Sequence, residues 1–502
     1  MKAKRILFPI LSLVLVCLYP CAFQYFRNAS EARPGDMVPM LLIFLAMGAA
    51  AFLVALVIFR KVPQAGLFAS VGMFFATNSG LFKGLLKRAV PGFRGLYVLV
   101  ILGILLVLLM ILLLRKKKFP ALELCQVLVI LFGVLTIVSM IPAIPTIWKQ
   151  VTFQKNPGSI DPSTVTLEGE KPNVYYMIVD EYGGTENLSR YYDYDNHEFL
   201  DKLREQGFNV SDTTKNTESI WTMTLVPNLL NMDYVVEDTS ENKSAYMDRS
   251  NLVEIFRGNG YQVNLIDHVN FVGTSGCRVL SPRQYPDSIS KYLFRNSVLS
   301  QIPQLRRKMD QLLGLPNDFE RGKTLQVLFG LMETATDYVE EGPTLTISYV
   351  QCPHYPFLFD AEGNIKPQKP DFQDKSIYLN QLRYVSSVLE QSVENILRKD
   401  PNSIIVIQSD HGARYPGQML LYHGGPDYDP VLETPYMQNA LDCVYVGGKA
   451  LDIQGLSGIN TWRTVLNAQF GTDFPMLEQP EGYTCYGKSW ADNPDWLEEV
   501  NR

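Results

Sequence analysis

The chain has 502 residues, more than one ordinary domain uses, and its charge is divided along its length. Residues 1–150 carry 16 Lys and Arg against 3 Asp and Glu, whereas residues 151–502 carry 29 against 48. A basic, apolar part followed by an acidic soluble part excludes nucleic acid as the partner and points to a membrane-anchored protein.

Apolar runs long enough to cross a bilayer occupy about 6–25, 38–59, 95–114 and 120–142. The stretch 62–82 is a weaker fifth candidate, because it contains Gln64, Thr77, Asn78 and several glycines. A cleaved signal peptide is not expected, since further spans follow directly. With five spans and an inside N-terminus, nine basic residues face the cytoplasm: Lys2, Lys4, Arg5, Arg60, Lys61 and Arg115 to Lys118. Of the basic residues up to Lys118 six lie outside, and four spans give nine to six again, so the positive-inside rule does not choose. The compact Arg115 to Lys118 cluster beside a span end favours five, which places residues 151 onward outside the cytoplasm.

The expected organisation is an all-α membrane domain over 1–148, a linker over 149–171 and an extracytoplasmic domain over 172–502. Pro157, Gly158, Pro162 and Pro172 punctuate the linker and its end. Residues 174–179 then read as a strand buried on both faces, ending in Asp180. A helix over 194–206, a short strand from Gly207, a helix over 250–258 and a strand after Gly260 continue an α/β alternation. Residues 290–340 read as a mostly helical insertion. Leu345 to Val350 is the next strand, and His354 follows it. A helix over 376–398 leads into the strand Ile404 to Gln408, which delivers Asp410, His411 and a glycine. The fold class is therefore a doubly wound α/β domain behind about five membrane helices.

Two strands that each end in a carboxylate bring their acidic side chains to one edge of a parallel sheet, where such folds bind ligands. Asp and His together suit a divalent metal of intermediate hardness. Of the five histidines, His354 and His411 follow strands and His423 lies close by, whereas His197 and His268 have no such placement. Among the cysteines of the soluble part, Cys277, Cys352, Cys443 and Cys485 could pair, and none has zinc or redox spacing.

With these pieces in order, the chain resembles the sulfatase-like membrane proteins of the alkaline phosphatase superfamily, the group that includes lipoteichoic acid synthases. The resemblance rests on Pro172 to Asp180, Leu229 to Tyr234, Pro353 to Asp360, Tyr378 to Tyr384, Ile407 to Gly412, and Asn460 to Arg463 with Asn467 to Leu477. It implies that Asp180, Asp410 and His411 are metal ligands and that Thr222 is the nucleophile and a further ligand. His354 would bind substrate or protonate the leaving group. Pro227 lies inside the helix that Thr222 would open, so Thr224 is the alternative nucleophile. Glu181 stands where the family often has Gly, as a second ligand or an outer carboxylate. No persuasive Asp-x-x-x-His completes a two-metal set, so one divalent ion is expected. Mixed carboxylate and imidazole donors favour Mn²⁺ or Zn²⁺ over Mg²⁺ or Ca²⁺. Arg414 is a candidate partner for a phosphate oxygen.

The function this implies is phospho-group hydrolysis or transfer through a covalent threonine intermediate. The substrate would be a phosphorylated lipid head group or envelope polymer, handled outside the cell membrane. Two alternatives stand beside it. A sulfuric ester hydrolase would carry its nucleophile in C/S-x-P-x-R, which is absent from the sequence. A non-enzymatic envelope protein would have no need of Asp180, Thr222, Asp410 and His411 together.

Overall fold

A computed structural model of the chain describes residues 2–29, 34–89, 95–151, 158–235, 246–267, 276–281, 288–301, 304, 308, 317–368, 374–413 and 430–480, except 117 and 248. The chain opens with helices α1 (Lys2–Arg27), α2 (Val38–Phe59), α3 (Val62–Thr77), α4 (Ser79–Ala89), α5 (Gly95–Leu114), α6 (Ala121–Met140) and α7 (Ile144–Val151). Next come β1 (Val174–Val179), α8 (Thr185–Tyr192), α9 (His197–Glu205), β2 (Asn209–Ser211), α10 (Thr222–Asn231) and α11 (Asn251–Gly258). They are followed by β3 (Gln262–Asp267), β4 (Arg278–Val279), α12 (Ser288–Asn296), α13 (Asp318–Glu333), β5 (Thr344–Val350) and α14 (Lys375–Lys399). The last described elements are β6 (Ile404–Ser409), α15 (Pro430–Met437), β7 (Asp442–Val446) and α16 (Gly458–Phe470).

Two compact units result, one of residues 1–153 with 285–316, the other of residues 154–284 with 317–502. Among the described residues of the first unit, three helices are long and apolar enough to cross a membrane: Ala3–Arg27, Val38–Phe59 and Ala121–Ala143. Val62–Thr77 and Ile101–Leu114 are shorter apolar helices. Their outward residues are largely apolar, Val57 and Leu112 among the most exposed, as expected of helices whose solvent is lipid. The sequence reading puts all of 290–340 in the soluble domain, but the structure divides that region. Ile289, Leu293, Phe294 and Leu299 bury their side chains with Leu13, Val16, Met40 and Phe44 of α1 and α2, so 285–316 joins the membrane unit.

The second unit is built on a seven-stranded sheet of order β2-β7-β6-β1-β5-β3-β4. Strands β6, β1, β5, β3 and β4 pair in parallel, and β7 and β2 close one edge antiparallel to their neighbours. Every residue of β1, Val-Tyr-Tyr-Met-Ile-Val, is buried, because a central parallel strand has helices on both faces. Alternate side chains separate accordingly. Tyr175, Met177 and Val179 join Leu382, Val385 and Leu389 of α14. Val174, Tyr176 and Ile178 join Val226 of α10, Phe256 of α11 and Trp462 of α16. Each such fully buried side chain contributes roughly 1.5–3 kcal/mol.

Helix α14 shows why these segments are helical. Asp374 caps it by accepting from the Ser376 N–H at 3.0 Å, and Arg398 and Lys399 complement the dipole in its last turn. Its buried Tyr378, Leu382, Val385, Leu389, Val393 and Ile396 fall at three- and four-residue spacing on one stripe. Cys352 and Cys443 are buried free thiols.

Candidate metal centre

The sheet register sets up the site. Val179 of β1 pairs with Ser409 of β6 and with Val350 of β5. The next residues, Asp180 and Asp410, are therefore carried side by side at the carboxyl edge. The Asp180 N–H donates to the Val350 carbonyl at 3.0 Å, which extends the ladder through the turn. Gly412 completes Asp-His-Gly for a steric reason: a Cβ there would lie 2.3 Å from the Asn439 carbonyl oxygen.

Asp180, Asp410 and His411 bring one ligand atom each within 4.8 Å of one another, all buried. Asp180 Oδ2 accepts from the Tyr349 hydroxyl at 2.6 Å, leaving Oδ1 toward the cluster. Asp410 Oδ1 accepts from the His411 N–H at 2.9 Å and the Glu181 N–H at 3.2 Å. Its Oδ2 is buried, has no hydrogen-bond donor among the described residues and lies 3.5 Å from His411 Nε2. His411 Nδ1 lies 2.9 Å from the Gly412 carbonyl, a group that can only accept. Nδ1 therefore carries a hydrogen, and Nε2 is the ring atom turned toward the carboxylates and Thr222.

Thr222 is the first residue of α10, and its Oγ1 lies 3.5 Å from Asp180 Oδ1 and 3.4 Å from His411 Nε2. Pro227 does not delay the helix start, because the ten-residue helix runs from Thr222 through Pro227 to Asn231. Thr224 is buried two residues on, in the first turn.

Two buried carboxylates repel unless a cation lies between them. Burial, then the Asp410 charge, pushes the Asp180 carboxyl above its usual range. The donor set fits a single divalent ion: two carboxylate oxygens, one of them without a donor among the described residues, an imidazole nitrogen and a hydroxyl. Tyr349 keeps its proton and donates it to Asp180, since burial and the Asp180 charge drive its phenol far above the ordinary range.

Glu181 has a left-handed backbone, with φ of 64°, a conformation that costs a non-glycine residue about 1–2 kcal/mol. Its N–H bond to Asp410 and the Tyr378 hydroxyl donating to its carbonyl at 2.8 Å hold it there. Its carboxylate faces His354 instead, at 3.5 Å from Nε2. His354 lies on the accessible side of the site, its side chain 22% exposed. Its N–H donates to the Asp180 carbonyl at 3.1 Å, and its Nδ1 meets the Tyr355 carbonyl. Buried Gln381 holds this loop. Its amide donates to the carbonyls of Pro353 at 3.0 Å and His354 at 3.2 Å, and its oxygen accepts from the Leu358 N–H at 2.7 Å. Arg414 and His423 lie outside the described residues.

Tyr349 and Gln381 carry no chemical signal in the sequence. In an apolar strand and a helix stripe they read as core, and only the fold turns their polar ends toward Asp180 and the His354 loop. Asn216 is a third such residue, its amide donating to the Asp410 carbonyl at 2.7 Å.

The sheet thus carries a carboxylate and an Asp-His pair at adjacent strand ends. The Sulfatase family model matches residues 172–438, more than half of the chain, and the chain belongs to that family of hydrolases and transferases. No curated protein matches the sequence. Similar solved structures include the integral membrane lipooligosaccharide phosphoethanolamine transferase A of Neisseria meningitidis, at 14% identity and a TM-score of 0.40, covering 91% of this chain and 95% of that one. The C-terminal periplasmic domain of EcEptC from Escherichia coli, in complex with zinc, is similar at 14% identity and a TM-score of 0.38, covering 60% of this chain and 83% of that one. The periplasmic domain of the Campylobacter jejuni phosphoethanolamine transferase EptC is similar at 13% identity and a TM-score of 0.38, covering 62% and 94%.

Proposed function

We propose that the protein is an outward-facing membrane enzyme that takes a phosphorylated head group from a lipid and passes it on through a phospho-Thr222 intermediate. The observation that carries this reading is the Thr222 hydroxyl, at the N-terminus of α10 and within 3.5 Å of both Asp180 and His411. A divalent cation held by Asp180, Asp410 and His411 would lower the hydroxyl's pKa and stabilise charge on the phosphoryl oxygens. Thr222 Oγ1 attacks phosphorus while the bond from phosphorus to the lipid oxygen breaks. His354 supplies the proton that the departing alkoxide needs, and the Glu181 carboxylate orients its ring. The N-terminus of α10 favours the phosphate anion. An acceptor hydroxyl, or water, then attacks the phosphorus, gives its proton to His354 and releases Thr222.

The orientation is supported within the membrane unit. Helix α12 packs on the connection between α1 and α2 and on α4, which lies between α3 and α5. Both connections then share one face, and the turn at Arg60 and Lys61, the turn at 115–120 and the N-terminus share the other. That pattern supports the five-span arrangement with nine basic residues inside. A reporter fused after residue 160 should be active only in a form that works outside the cytoplasm, and activity of a cytoplasm-only reporter would overturn it.

The activity is tested with full-length protein and a phosphodiester lipid carrying a labelled head group. Metal-dependent release of the neutral lipid alcohol is expected. Release of a free fatty acid, or none with any divalent metal, would contradict the reading.

A further inference from the structure

Asn216 is buried in the connection from β2 to α10, and its side chain uses both ends. Nδ2 donates to the Asp410 carbonyl at 2.7 Å and to the Ser409 carbonyl at 3.4 Å. Oδ1 accepts from the Gly458 N–H at 2.9 Å, at the start of α16. The two carbonyls can only accept and the Gly458 N–H can only donate, so the amide has one orientation. The backbone is anchored beside it. The Asn216 N–H donates to the Gln438 carbonyl at 3.1 Å, and Gln438 Nε2 donates to the Thr217 carbonyl at 2.7 Å.

The same connection ends at Thr222. Six residues reach about 20 Å when extended, yet this segment returns to the dipeptide it leaves. Asn216 is bonded to the Asp410 backbone, and Thr222 Oγ1 lies 3.4 Å from His411 Nε2. Asp410 and His411 have other anchors. The N–H groups of His411 and Glu181 donate to Asp410 Oδ1, and Ser409 Oγ donates to the His411 carbonyl at 2.8 Å. The Gly412 N–H donates to the Met437 carbonyl at 2.7 Å. The ligand pair is therefore held without Asn216, and the Asn216 amide joins the segment that carries Thr222 to Asp410 itself.

We propose that Asn216 is a positioning residue. It ties the segment ending in Thr222 to the Asp410–His411 pair, and so sets the reach of the Thr222 hydroxyl to the metal cluster. This role rests on Thr222 as ligand and nucleophile, whereas the tie itself is measured without metal.

Two measurements on full-length protein decide it. In metal-free protein, hydrogen exchange across 216–225 should be about tenfold faster in Asn216→Ala than in wild type, the weight of one buried hydrogen bond. Exchange across 404–412 should be unchanged. Asn216→Asp keeps the size and the Gly458 bond but turns an oxygen toward the Asp410 carbonyl. It should speed exchange in the same way, and it serves if the alanine variant does not fold. Competition for Zn²⁺ with a chromophoric chelator then completes a cycle. Asn216→Ala should weaken binding about tenfold with Thr222 present. The loss should be less than about twofold in Thr222→Ala, because the tie acts through Thr222. Unchanged exchange at 216–225, or a loss of metal affinity that is absent or equal in both backgrounds, would overturn the proposal. Faster exchange with no effect of Thr222→Ala on metal affinity would confirm the tie and overturn the reading of Thr222 as a ligand instead.

Discussion

Tyr349→Phe tests the metal centre at a residue that is not itself a ligand. The hydroxyl donates to Asp180 Oδ2 at 2.6 Å, and the ring is fully buried in the second core. Phe keeps the ring and leaves no cavity, and the variant removes the charge-assisted hydrogen bond to Asp180. Such a bond is worth about 1.5–3 kcal/mol when buried. Part of that sum fixes Asp180 with Oδ1 toward His411, and the carboxylate is freer to turn away without it. Loss of an outer-shell partner of this kind costs about 10–100-fold in metal affinity. The assay is competition for Zn²⁺ or Mn²⁺ between full-length protein and a chromophoric chelator, with a thermal melt to check the fold. A Kd within twofold of wild type would refute the reasoning, and would mean that Asp180 is held by its backbone alone.

Asp410→Asn removes the carboxylate oxygen that has no donor among the described residues and should abolish stoichiometric metal on elemental analysis; unchanged content would take Asp410 out of the site. Gln381→Leu leaves the Leu358 N–H and two carbonyls of the His354 loop without their partner. It should cost about 2–4 kcal/mol in urea unfolding and lower kcat more than metal affinity, because His354 and not the cluster is displaced. Burial pushes Glu218 up to about 7 from 4.5, with bonds to its backbone and Asn228 offsetting part of the effect. A raised carboxyl pKa means that protonated Glu218 favours the fold. That stability is complete below about pH 4.5 and lost as pH rises through about 7. Glu218→Gln should therefore leave stability unchanged near pH 4 and raise it by up to about 3 kcal/mol at pH 8, read by chemical denaturation.

The legible parts of the sequence were those with one dominant local cause. β1 and β6 are short β-branched runs that only a doubly covered strand explains, and their terminal Asp180 and Asp410 follow from strand direction. The stripe of α14 and the apolar membrane helices were equally plain. β7 and β2 pair through backbone atoms across more than 200 residues, so pairing rather than side-chain pattern determines their place at the edge. Pro227 kept Thr224 open as the alternative to Thr222. It argued for a helix starting at Thr224, but the fold tolerates proline in the second turn, and Asn231 donates to its carbonyl at 2.7 Å. The division at 285–316 was hidden because α12 has the amphipathic pattern of any surface helix, and the sequence does not say which surface its apolar stripe meets.

The central claim is that Thr222 becomes covalently phosphorylated. It is tested most directly by quenching full-length protein with metal and a phosphodiester lipid, then mapping the modified peptide by mass spectrometry. The account predicts a head-group phosphate on Thr222, absent in Thr222→Ala and without metal, and retained in Thr224→Ala. An adduct on Thr224 with Thr222→Ala still turning over, or turnover without any protein adduct, would contradict it.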